Sequence, residues 1–116
     1  MNIFDAARKG NLTELESLLK NKADVNAKDN NGQCPIFISA NDSQFCAVKA
    51  LIEAGANLDI QTINMQWTPL FAAANTGNSE IVRILLEAGA NPNIQNKNGE
   101  TALHKAIDKG DNITAQ

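Results

Sequence analysis

Apolar positions along this chain fall in short helical bursts separated by polar, turn-prone stretches. The clearest burst is Ile81, Val82, Leu85 and Leu86. Their spacing of i, i+1, i+4, i+5 lays one apolar stripe along a helix that starts at Ser79-Glu80. Gly89 follows as a left-handed stop. Upstream, Thr68-Pro69 predicts another helix start, with Thr as N-cap and Pro at the first helical position, where a missing N–H costs nothing. Leu70-Phe71-Ala72-Ala73-Ala74 continues that helix, and Asn75-Thr76-Gly77-Asn78 turns the chain. Beyond Gly89, Ala90-Asn91-Pro92-Asn93 runs extended and Pro92 bars further helix. Lys97-Asn98-Gly99 then predicts a tight turn of the hairpin kind.

This pattern repeats. Thr68-Pro69-Leu70-Phe71 is matched 33 residues later by Thr101-Ala102-Leu103-His104 and 34 residues earlier by Cys34-Pro35-Ile36-Phe37. Phe4 lies 33 residues before Phe37, and Glu53-Ala54-Gly55-Ala56-Asn57 recurs as Glu87-Ala88-Gly89-Ala90-Asn91. A period of this length means small units that bury their apolar faces on one another. Four units follow, at about 1–26, 27–59, 60–93 and 94–116. The first predicts helices Asn2 to Lys9 and Thr13 to Lys20, joined at Gly10-Asn11, with Thr13 and Glu16 as a capping box. The second predicts a tip at Asn30-Asn31-Gly32 and helices Pro35 to Ala40 and Ser43 to Ala54. The last predicts a helix Ala102 to Lys109 and no second helix.

The succession Thr-Pro-Leu-(Phe/His), Ala-Ala, Gly, Ile-Val-x-x-Leu-Leu, Gly-Ala-x-x-Asn closely resembles the ankyrin repeat, in four in-phase copies over nearly the whole chain. The resemblance implies an all-α solenoid in a single domain 1–116, built of stacked helix-turn-helix units with protruding β-hairpin-like loops. It also implies that the loop tips, and the residue just before Thr-Pro, face a concave surface that binds a protein partner. Matched unit by unit, the contacts would be Arg8 and Lys9; Asn30, Asn31, Gln33, Asn41 and Asp42; Asn64, Met65, Trp67, Asn75 and Thr76; and Lys97, Asn98, Glu100, Asp108 and Lys109. The family pattern has His104 bonded to its own Thr101, tying loop to helix, while Phe4, Phe37 and Phe71 replace that lock by apolar packing. Asn26 and Asn93 hold the loop position that an asparaginyl hydroxylase modifies in some ankyrin-repeat proteins.

Composition narrows the picture. Aromatics make up only 4%, with one Trp and no Tyr, which suits thin helix pairs filled by Ala, Leu, Ile and Val. The net charge is −3 and the densest basic pair is Arg8-Lys9. A nucleic-acid binder or membrane-surface helix would need a basic stripe. No apolar run approaches the roughly 20 residues of a membrane span, and Met1 leads straight into a polar helix without a signal sequence. The chain reads as intracellular and cytoplasmic. Cys34 and Cys46 have neither metal nor redox spacing and are expected as buried or semi-buried free thiols. Glycosylation sequons at Asn11, Asn41 and Asn112 are expected by chance among sixteen asparagines. Phosphate loops, dinucleotide fingerprints and nucleophile elbows are missing, and His104 has no nucleophile beside it. The expectation is a non-catalytic chain without cofactor or metal.

Departures from the repeat are where an individual role can hide. Gly55 to Thr68 is thirteen residues, against twelve from Gly89 to Thr101. The lengthened loop has lost its Gly and carries Ile63, Met65 and Trp67 where the others carry Asn, Lys, Gln and Glu. Either Trp67 and Met65 anchor a partner, or Trp67 folds over its neighbours, covering Pro69 or the adjacent loop. Cys34 stands where Thr caps the other first helices, a cap weaker by ~1 kcal/mol, at a helix end that can lower a thiol pKa. The sequence stops where a second helix of the fourth unit should start. This suggests an array that continued, or else a stub at Asp111–Gln116. The leading expectation is a rigid, monomeric protein-binding module for a polar, folded partner surface. The alternatives are a spacer or end-to-end oligomerisation segment using the uncapped last repeat, and a targeting arm of a longer protein.

Overall fold

The computed structural model describes residues 2–108, with side chains through residue 105. The expectations for the Asp108 side chain, Lys109, Asn112 and the stub Asp111–Gln116 lie outside the described residues.

Seven helices form among the described residues: α1 (Ile3–Lys9), α2 (Leu12–Lys20), α3 (Pro35–Asn41), α4 (Phe45–Glu53), α5 (Pro69–Thr76), α6 (Ser79–Glu87) and α7 (Ala102–Asp108). They stand in two rows. The inner row runs α1, α3, α5, α7 and the outer row α2, α4, α6, with each inner helix packed on its own outer partner where one is described. This is the all-α solenoid expected from the repeat.

The rows differ because their surroundings differ. Inner helices have neighbours on nearly every side, so α3 is buried from Pro35 through Ala40 and α5 from Pro69 through Ala74. A helix apolar all round is stable only in such a place. Ala6, Ala7, Ala40, Ala72, Ala73 and Ala74 keep the inner row narrow enough to stack. Outer helices bury one stripe. In α6, Ile81, Val82 and Leu85 are buried while Glu80, Arg83, Leu86 and Glu87 are exposed.

Loops tie each unit to the next. Side chains of Asp24, Asn57 and Asn91 each accept from the backbone N–H two residues on, at 2.9, 3.0 and 2.9 Å. Across units, Asn57 N–H donates to Asn26 Oδ1 at 2.8 Å and Asn91 N–H to Asp59 Oδ1 at 3.0 Å. A buried bond of 3.0 Å from the Ser39 hydroxyl to the Ala7 carbonyl joins the first two inner helices. Thr101 N–H donates to His104 Nδ1 at 3.1 Å, as the resemblance implied. Phe37 and Phe71 are buried in the corresponding places.

Three local expectations are corrected. Asn11, not Thr13, caps α2 by accepting from Glu14 N–H at 3.1 Å. Asn is as good a cap as Thr and lies closer to the Gly10 turn, so the Thr13–Glu16 capping box does not form. Helix α4 starts at Phe45 rather than Ser43, because Ser43 is left-handed at φ 59°. It holds the place of Gly10 and Gly77 at the end of an inner helix and helps close α3 instead of opening α4. Cys46 is exposed on α4 rather than packed, whereas Cys34 is buried as expected.

The caps of α3 and α5 form a natural pair. Cys34 (φ −92°, ψ 164°) and Thr68 (φ −91°, ψ 166°) share one backbone geometry, but only Thr68 accepts a cap bond, from Phe71 N–H at 3.1 Å. Cys34→Thr should therefore stabilise the chain by about 0.5–1 kcal/mol, and Thr68→Ala should destabilise it by about 1 kcal/mol. Urea unfolding of the two variants measures both.

Candidate binding surface

Three finger loops project from the inner row: Asp29 to Gln33, Thr62 to Trp67, and Asn96 to Glu100. The outer two share one device. Asp29 Oδ1 accepts from Asn31 and Gln33 N–H, and Asn96 Oδ1 from Asn98 and Glu100 N–H, all at 2.9 Å. Backbone bonds close them, Asp29 N–H to Gln33 O at 3.1 Å and Asn96 N–H to Glu100 O at 2.8 Å.

The middle finger uses the device in altered form. Thr62 replaces the Asx residue and accepts from Trp67 N–H at 3.1 Å, while Thr62 N–H donates to Trp67 O at 3.0 Å. Gln66 takes the left-handed place of Gly32 and Gly99, at φ 57°. A non-Gly residue there costs about 1 kcal/mol. Gln61 offsets this, its Nε2 donating to Gln66 O and to Gln95 O, both at 2.9 Å.

The tips are joined edge to edge. Ile63 N–H donates to Asn31 O and Lys97 N–H donates to Met65 O, each at 3.0 Å. The middle finger thus bonds to both neighbours. At its tip Ile63 is 65% exposed and Met65 38%.

Trp67 is half-buried, its ring tilted 42° against Phe71 with centroids 4.9 Å apart. Lys105 Nζ lies 5.7 Å from the centre of the same Phe71 ring, a cation–π distance. The Trp67 indole N–H is buried and has no hydrogen-bond partner among the described residues.

Between the first two of these fingers opens a cleft of about 270 Å³, lined by Asn31, Gln33, Phe37, Asn41, Thr62, Asn64, Met65 and Trp67. Six of these were expected contacts, and the fold gathers them in one place. Phe37 and Thr62 were not among them, nor was Ile63 above. Thr62 was hidden because the extra residue shifts it out of register with Asp29 and Asn96. The size of Ile63 within the inserted loop was the available signal.

The remaining expected contacts are spread along the wall. Arg8 and Lys9 are exposed at the end of α1, with Arg8 Nη1 3.1 Å from Asp5 Oδ1, a surface pair worth little. Asn30, Asp42, Thr76, Lys97 and Asn98 are exposed, and Asn75 is half-buried. The Thr76 hydroxyl is occupied by Ala73 O at 3.0 Å. Half-buried Glu100 accepts from Asn96 Nδ2 at 3.1 Å.

A family model described as Ankyrin repeats (3 copies) matches residues 3–96 and 44–115. The chain belongs to the ankyrin-repeat family. It also resembles a protein of Rickettsia bellii (strain RML369-C) named for ankyrin repeats, with 43% identity over 61 residues. That match covers 47% of this chain and 36% of the relative, so the chain spans only about a third of that protein. Ankyrin repeats generally mediate protein–protein interaction and are generally non-catalytic.

Two chemical questions remain for this ankyrin array. Burial pushes the Cys34 thiol pKa up, outweighing the amides of the helix end that pull it down. Burial and the raised pKa both disfavour the thiolate, which is the nucleophilic form. Among the described residues no group of three His, Cys, Asp or Glu is placed to hold a metal, and no helix is long and apolar enough to cross a membrane.

The tip packing can be tested with two glycines. Gly32 and Gly99 have nearly equal φ, 74° and 77°. A Cβ at Gly32 would meet Ile63 Cγ1 at 2.8 Å and Ile63 N at 3.0 Å, whereas at Gly99 nothing among the described residues lies within 4 Å. Gly99→Ala should cost about 1 kcal/mol of left-handed strain, and Gly32→Ala that plus about 1 kcal/mol more. Denaturant unfolding compares them, and only Gly32→Ala should move the Ile63 amide resonance.

Proposed function

We propose that this ankyrin array is a non-catalytic, intracellular protein-binding module. Its contact wall is the row of joined finger tips with the concave face of the inner helices. The observation that carries this reading is the middle finger, which holds Ile63 and Met65 out to solvent while bonded to both neighbours. Apolar side chains on a fixed backbone, rimmed by amides and hydroxyls, have the make-up of interface anchors. The bonds fix the loop beforehand, so association orders little.

Asn30, Asp42, Asn75, Thr76, Lys97, Asn98 and Glu100 form the polar rim of this surface, with Arg8 and Lys9 at one end. The rim mixes signs and the chain carries −3, which favours a polar protein surface over nucleic acid or an anionic membrane. On the outer row, Leu86 is 42% exposed and Leu12 37%. They lie on separate helices, α6 and α2, and neither sits on a joined loop.

A photo-crosslinking amino acid substituted at Ile63, and separately at Leu86, tests the wall against the outer row. In extract of the native host, the position-63 protein should give discrete protein adducts and the position-86 protein should not. Equal or stronger adducts at position 86 would move the interface to the outer helices.

A further inference from the structure

We propose that the cleft between the Asp29–Gln33 and Thr62–Trp67 fingers is a recognition pocket for an extended, uncharged peptide segment of the partner. This rests on the protein-binding reading above and adds which chemistry the surface selects.

The lining decides the chemistry. Asn31, Gln33, Asn41 and Asn64 present carboxamides that make no hydrogen bond within the chain among the described residues. Each carboxamide offers a carbonyl acceptor and two N–H donors, so it can meet both the N–H and the C=O of a peptide group. Four free ones in a single cleft can pair with main-chain N–H and C=O groups of a bound strand. Among the described residues no charged side chain lines the cleft, so an ionised group entering it would lose water without gaining a counter-charge.

Trp67 supplies the second observation. Buried donors are almost always satisfied, yet its indole N–H has no partner among the described residues. The ring packs on Phe71, with centroids 4.9 Å apart. Turning it toward the cleft therefore breaks no hydrogen bond at the indole. A carbonyl oxygen of a bound strand would give the N–H the acceptor it lacks.

At about 270 Å³ the cleft lies at the small end of ligand pockets, which run roughly 300–1,000 Å³. It is open and suits a short stretch of strand, with one apolar side chain set on Phe37 and Met65.

The chain has one Trp, so its single indole N–H resonance reports on this cleft alone. Wild-type protein is panned against a display library of random peptides about twelve residues long. Selected peptides are then titrated into wild type, Trp67→Phe, and the double variant Asn31→Asp with Asn64→Asp. Trp67→Phe keeps an aromatic ring on Phe71 and deletes the N–H. The two exposed asparagines can become carboxylates without touching the core. We expect peptides with an uncharged central stretch that move the indole resonance and the Gln33 and Asn41 side-chain amides. Both variants should bind them at least about tenfold more weakly. Peptides that bind both variants as tightly as wild type, or a library that yields none moving the indole, overturn the pocket. If crosslinking at position 63 still succeeds, the protein-binding reading stands and only the pocket falls. If it also fails, both fall.

Discussion

Close stacking of the inner helices is the constraint on which the rest of this molecule depends. Helices α1, α3, α5 and α7 approach one another through Ala-rich faces. Packed helices sit about 8–10 Å apart, and each finger grows from the start of one of them. The stacking distance therefore sets the distance between tips. That is why a backbone N–H of one finger reaches a carbonyl of the next, at Ile63 to Asn31 and at Lys97 to Met65. The joined row of finger tips is a by-product of core packing carried outward along rigid helices.

The same constraint explains what the sequence made legible. A stripe such as Ile81, Val82 and Leu85, a Thr-Pro start and a Gly stop are local signals, and stacking reinforces them at every turn of the repeat. Ser43 was misread because its own chemistry suits a helix start. Only alignment with Gly10 and Gly77 reveals that the left-handed place at the end of α3 falls there. Asn11 outcompeting Thr13 is a contest between two good caps, decided by where the Gly10 turn leaves the chain. The cleft was half legible. Its residues were named individually, but their convergence depends on how two loops lean together across units. The unpaired indole of Trp67 is a matter of ring orientation, which no spacing encodes.

Finger and core also trade against each other at particular residues. Cys34 gives up a cap bond and lies buried beneath the first finger. Gln66 accepts a left-handed backbone that Gly would take more cheaply, and the lengthened finger exposes Ile63 and Met65 in return. Local rules broken on one finger, against units that keep them, are a reasonable mark of a functional site. The sense of Trp67 changes accordingly. It both packs on Phe71 and edges the cleft, so packing does not take the ring away from the cleft.

The finger tips form one hydrogen-bonded wall rather than independent mobile loops. Amide hydrogen exchange at the tips distinguishes the two. Ile63 and Lys97 donate across units at 3.0 Å, whereas the amides of Asn64 and Met65 have no acceptor among the described residues. A joined wall predicts that Ile63 and Lys97 exchange about tenfold to a hundredfold more slowly than Asn64 and Met65, after correction for intrinsic rates. Equal, unprotected exchange at all four would mean that the tips move separately, and would contradict the preformed surface.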